Sequence, residues 1–272
     1  MTPDSRAWTI AREDFEHARR SRLLWGALAL ISLLVVPSFW SVTGSYHAVD
    51  GRPSPPLQAV LDVPAYLSTY LFVIVAALAY GAVAGERESG TIRLLLGLPG
   101  TRCDVLVGKL LSRVGMLLVS VVPLLAILAT TIVVRQGTVP FVPFAVVAAW
   151  VLLYGIAWTT FAVGASAAFD SRYRALAAVA GTYIAFAYNV PIWPAVVDPL
   201  LTSLLPAGME SYVPRLNPTL ALFYTGEWLV SRVTPVTADI GTAPALVSVL
   251  VLLLVGVGGP LLGYRRFERA DL

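Results

Sequence analysis

Charge is what this 272-residue chain has least of: 13% of its residues are Asp, Glu, Lys or Arg, about half the ~25% of an ordinary soluble domain. Set beside 57% hydrophobic residues and a mean hydropathy of +0.77, that scarcity excludes a soluble globular protein and leaves a polytopic membrane protein. Cysteine occurs once, at Cys103, so no internal disulfide can form. Histidine occurs twice, at His17 and His47, and methionine three times, too few for a ligand cluster, so no metal site is expected. A phosphate-cradling G-x-x-x-x-G-K-S/T loop is also missing. Gly108-Lys109 is followed by Leu110, and five residues before Gly108 stands Cys103 instead of glycine. The net charge of +3 is too small to mark a nucleic-acid binder.

What is present is a set of six apolar runs, at 23–43, 65–84, 114–134, 141–168, 175–197 and 244–264. At 1.5 Å per helical residue, about 20 residues cross a ~30 Å hydrocarbon core, so each run is long enough to be a span. The first exceeds the 7–15 residue apolar core of a secretory signal and is read as a retained span. None of the six contains Asp, Glu, Lys, Arg or His. Carriers driven by ions or protons usually place such groups at mid-membrane. Their lack disfavours an ATP-independent secondary carrier or channel, which stays open as an alternative beside a non-transporting membrane scaffold.

Of the nineteen Lys and Arg residues, fifteen fall before the first run, between runs two and three, between four and five, or after the sixth; four fall on the other side. The positive-inside rule then puts both termini in the cytoplasm of a cell-membrane protein. Residues 1–22 read as a cytoplasmic amphipathic helix. Trp8, Ala11, Phe15 and Ala18 form an apolar stripe, and Arg12 and Arg19 belong to the polar face, a pattern suited to the bilayer interface. The outer stretch 198–243 is broken by prolines. Asn217-Pro218 has the form of an N-cap with Pro at the first helical position, predicting a short helix in a re-entrant loop.

The densest charges lie in 85–113, GERESGTIRLLLGLPGTRCDVLVGKLLSR. A short amphipathic piece at 91–100 is ended by Gly97, Pro99 and Gly100, and Thr101 with Asp104 forms a capping box for the next helix. Span, short helix, turn, helix and span make an elbow. Glu86 and Glu88 alternate with Arg87 beside water, which favours ion pairing over general acid chemistry, and no catalytic residue is expected.

This elbow resembles the loop between the second and third spans of type-2 ATP-binding-cassette exporter permeases. The matching residues are Gly85, Glu86, Arg87, Glu88, Gly90, Thr91, Leu98, Pro99, Arg102, Gly108 and Lys109. Size and layout are most similar to the NosY-like branch, associated with copper-site assembly. The resemblance covers essentially the whole chain and implies one all-α permease domain over 1–272, with the elbow as coupling helix. It implies a homodimer working with two copies of a cytoplasmic ATPase that would bind ATP and Mg, leaving this chain without a cofactor. On that reading Glu86, Arg87 and Glu88 latch the elbow to the N-terminal helix, and Arg93, Pro99, Thr101 and Arg102 face the ATPase.

Overall fold

The computed structural model describes residues 3–49, 52–92, 101–187, 190, 192–206, 208–235 and 241–270. Every regular element among them is helical. In chain order these are α1 (Pro3–Arg19), α2 (Arg22–Thr43), α3 (Pro55–Ala79), α4 (Ala84–Ser89), α5 (Arg102–Gln136), α6 (Phe141–Ala168), α7 (Arg172–Phe186), α8 (Asp198–Leu204), α9 (Pro218–Ser231) and α10 (Thr242–Glu268). A π-helical turn, Trp193–Val197, leads into α8, and a 3-10 segment, Glu210–Leu216, leads into α9.

Four segments among the described residues are long and apolar enough to cross a membrane: Tyr70–Ser89, Arg102–Gln136, Phe141–Ala168 and Thr242–Glu268. A shorter apolar helix, Leu28–Thr43, accompanies them where the first run was predicted. The fifth run, predicted as one span over 175–197, is not a continuous helix. α7 stops at Phe186 after 15 residues, and Ala187 is extended.

α5 is the axis of the molecule. Its 35 residues make a rod of ~52 Å, far longer than the ~30 Å hydrocarbon core. The excess lies at its first turns, where Arg102, Asp104, Lys109 and Arg113 stand before an uncharged run to Val134. The most extensive helix pairings are α10 with α6 and α1 with α5, followed by α3 with α6. Between lipid-embedded helices there is no hydrophobic drive to associate, so small residues and close packing must hold them. α6 and α10 meet at such a point. A Cβ on Gly164 would lie 2.3 Å from the Gly259 carbonyl oxygen, and one on Gly263 would lie 2.1 Å from that of Gly164.

The outer segment folds back on the bundle. Asn217 caps α9 through its Oδ1, which accepts from the Thr219 amide at 2.8 Å and the Leu220 amide at 3.3 Å, with Pro218 at the first helical position. α9 is then pinned to α6: the Trp150 indole donates to the Leu222 carbonyl at 3.0 Å, and the Tyr154 and Thr219 hydroxyls are 3.2 Å apart. Asp62 lies on α3 just before the second predicted run and accepts a hydrogen bond from the Tyr46 hydroxyl, so an ionisable group stands one turn from the span as drawn from sequence.

Candidate functional site

The first turns of α5 gather the charges that the sequence puts in the elbow. α1 lies along it because α5 offers glycine where α1 must touch. A Cβ on Gly108 would come 2.7 Å from the Ile10 side chain and 3.0 Å from the Ala7 carbonyl, and one on Gly115 would meet the Phe15 ring at 3.3 Å. Gly108 and Gly115 are two turns apart, on one face of the helix. The stripe that α1 turns inward contains buried Ala7, Ala11 and Ala18 with partly buried Ile10, Asp14 and Phe15. Phe15 therefore packs as its place in the apolar stripe suggests. Trp8 does not: it lies off the packed face and is 64% exposed. Arg12 and Arg19 are exposed, and Arg12 pairs with Glu16 at 3.2 Å.

Asp14 is the one carboxylate in that stripe, and α5 brings it two cations. The Lys109 ammonium donates to Asp14 Oδ1 at 2.6 Å and also to Glu86 Oε1 on α4, and Arg113 reaches Asp14 at 3.2 Å. Lys109 is 4% exposed, so a charge taken out of water is compensated on both sides. Burial pushes the Asp14 carboxyl upward, but the neighbouring Arg113 and Lys109 charges outweigh it and hold the group below its ordinary range. Two positive and two negative groups close a neutral cluster joining α1, α4 and α5.

The other elbow residues fasten elsewhere. Arg87 donates to the Phe169 carbonyl at 3.1 Å, and Glu88 pairs with Arg172 at 3.2 Å. Both were expected to latch to the N-terminal helix; instead they tie α4 to the turn between α6 and α7, and only Glu86 reaches α1, through Lys109. The reason is position. α4 packs beside the free carbonyls at the end of α6, where a guanidinium is favoured by the helix dipole. Ser166 completes that seam, its Oγ accepting from the amides of Val83 and Ala84 at 3.0 Å each, where the helix is broken before α4. Gly90 ends α4 in the left-handed region (φ +76°), which an L side chain adopts at a cost of ~1–2 kcal/mol. Thr91 follows it, its hydroxyl 2.7 Å from that of Ser89.

Arg102 was expected to face outward to a partner. Its Nη1 instead donates to the carbonyls of Phe267, of Glu268 at 2.9 Å and of Ala270 at 3.0 Å, closing the end of α10. The Thr101 hydroxyl is likewise spent: Thr101 and Asp104 form the reciprocal capping box at the start of α5. Those bonds from the Thr101 amide and hydroxyl lower the Asp104 carboxyl. Arg93 and Pro99, with the rest of the amphipathic piece 93–100, lie outside the described residues.

Three cations thus strap the elbow to three elements: Lys109 to α1, Arg87 to the end of α6, and Arg102 to the end of α10. Asp14 as the partner of Lys109 was missed from sequence, although its place in a stripe of small residues was a usable signal. The arrangement holds charge in place, and no group of three His, Cys, Asp or Glu suited to a metal occurs among the described residues.

Comparison with known proteins bears on the same region and on the whole chain. The family model described as ABC-2 family transporter protein matches residues 8–272. A probable ABC transporter permease protein NosY from Stutzerimonas stutzeri is 27% identical over 284 aligned positions, covering 97% of this chain and 99% of that protein. A probable ABC transporter permease protein NosY from Pseudomonas aeruginosa is 36% identical over 107 residues, 39% of this chain, which spans 38% of that relative's length.

Proposed function

Since the chain belongs to the ABC-2 family of transporter proteins, we propose that it is the permease of an ATP-driven exporter whose motor is a separate cytoplasmic ATPase, bound in two copies to a homodimer of this chain. Membership makes it a membrane subunit of an ABC transporter. The proposal adds direction, stoichiometry, six spans and cytoplasmic termini in the cell membrane. The observation that carries it is the three-way strapping of the elbow. A surface meant to receive a push must not slide over its own protein, and Lys109, Arg87 and Arg102 prevent that at three separate helices. ATP-driven closure of the partner would press on 91–100, and the load would pass through α5 as a rigid lever and through the ends of α6 and α10. A path between the two copies would then open outward. ATP and Mg belong to the partner; this chain lacks the glycine loop that would hold them.

The test is purification of the intact chain from its own membrane in mild detergent, followed by an assay of MgATP hydrolysis in the complex. The expected result is a copurifying ATPase whose turnover changes when the chain carries Glu86→Lys, with insertion unaffected. Substrate movement in vesicles without nucleotide would contradict the reading and favour a carrier.

A further inference from the structure

Beside the Gly164–Gly263 contact, α6, α7 and α10 line a hollow of about 490 Å³. Its wall is apolar, with Phe161, Ala165 and Ala168 from α6, Leu262 from α10 and Ala178 from α7. Its foot is cationic, lined by Arg265, Arg266 and Arg269. All three are exposed, and none makes an ion pair among the described residues; Arg266 lies over the Phe169 ring at 5.9 Å. Asp170 is engaged with Arg174 at 3.4 Å and Glu88 with Arg172 at 3.2 Å, and Glu268, exposed on α10 among the three arginines, leaves the foot with three positive groups against one negative. Asp271 lies outside the described residues.

We propose that this hollow binds an anionic phospholipid of the inner leaflet, its phosphate held by Arg265, Arg266 and Arg269 and one acyl chain laid along the groove beside the α6–α10 seam. Dimensions and charge both support that occupant. The ten steps from Gly259 to Arg269 rise ~15 Å, which is half of the ~30 Å core and therefore one leaflet. A slot one leaflet deep with its cations at the water end matches a lipid in both halves. α10 faces outward enough to meet it, since 17% of its apolar window is buried against 44% for each of the other three candidate spans. A second copy of the chain fits this seam poorly, because a two-fold axis here would bring six guanidiniums together. The inner-leaflet assignment rests on the inward orientation of the elbow; the pocket itself does not depend on an ATPase.

The experiment uses the full chain in nanodiscs of phosphatidylcholine with a trace of phosphatidylglycerol bearing a photoreactive acyl chain. Crosslinked residues are read by peptide mass spectrometry. Label should concentrate on 161–169 and 259–263 and be displaced by unlabelled phosphatidylglycerol but not by added phosphatidylcholine. R265Q/R266Q/R269Q should weaken labelling on the order of 100-fold. A165F, which fills the slot and keeps every charge, should also lose the label. Thermal unfolding of each variant checks that it is folded. Equal competition by phosphatidylcholine, or unchanged labelling in both folded variants, overturns the site. Spontaneous disulfide formation between two copies carrying L262C gives the seam to a second protomer and overturns it as well. Labelling of the native Cys103 by an impermeant maleimide in sealed vesicles reports sidedness separately: reaction from outside overturns the inner-leaflet assignment, whereas loss of ATPase coupling leaves the lipid result standing.

Discussion

Lys109 is the one lysine in a chain with eighteen arginines, and the geometry around it explains why a compact ammonium is there. It donates to two carboxylates from different helices, Asp14 and Glu86, inside a space closed by α1. A bulkier, planar guanidinium does not substitute freely at such a point. Breaking a buried pair leaves an uncompensated charge, which costs ~3–5 kcal/mol. Lys109→Met should therefore loosen α1, while Lys109→Met combined with Asp14→Asn should recover part of the loss; a double-mutant cycle on thermal unfolding would show additivity if the two groups did not interact. The pH dependence follows from the same contact. Because Asp14 is held below its ordinary value of 3.8 in the folded protein, its contribution is fully present above that value and is lost as pH falls through the lower folded one. Amide exchange across 3–19 should be flat from pH 5 to 8 after correction for intrinsic rates and should rise only below about pH 4; loosening near pH 6 would assign the joint to another group.

At the scale of elements, the contact that matters most is α1 lying on the first turns of α5. Gly108 permits it, since any Cβ there would strike Ile10 and the Ala7 carbonyl. Gly108→Leu should lift α1, separate Lys109 from Asp14 and expose 3–19 to protease, with α5 still helical by circular dichroism; unchanged protection would mean that α1 is held by something other than this crossing. Sequence periodicity found α1, and capping chemistry found the starts of α5 and α9, because Thr101–Asp104 and Asn217–Pro218 act within one turn of the chain. Periodicity could not say what α1 packs on. Its stripe fits a lipid interface as well as another helix, and only the complementary glycines of α5, roughly a hundred residues away, decide between them. The acceptors of Arg102 were unreadable from sequence for a related reason. Its acceptors are carbonyls at the end of α10, more than 160 positions along the chain, and no local pattern announces them.

For the molecule as a whole, hydropathy alone exposed a helical membrane protein, because long uncharged runs have few other physical explanations. It drew the fifth run as one helix, where the chain is extended at Ala187 although the apolar composition continues. The function was legible chiefly in the elbow, where a charged stretch between two spans carries more charge than lipid would tolerate. α4 and α5 are fixed to α1, α6 and α10, and on the proposed reading a load applied at the elbow is shared across the bundle. This requires the elbow to face the cytoplasm, where ATP is. Cys103, one residue after Arg102, is exposed and is the chain's single thiol, so no engineering is needed to ask where the elbow lies. The most direct measurement is the rate at which a membrane-impermeant maleimide labels Cys103 in sealed vesicles of opposite orientation. The expected result is fast reaction in inverted vesicles and none in right-side-out vesicles until detergent is added. Prompt labelling of intact right-side-out vesicles would place the elbow outside, beyond the reach of any cytoplasmic ATPase, and would contradict the coupling role assigned to it.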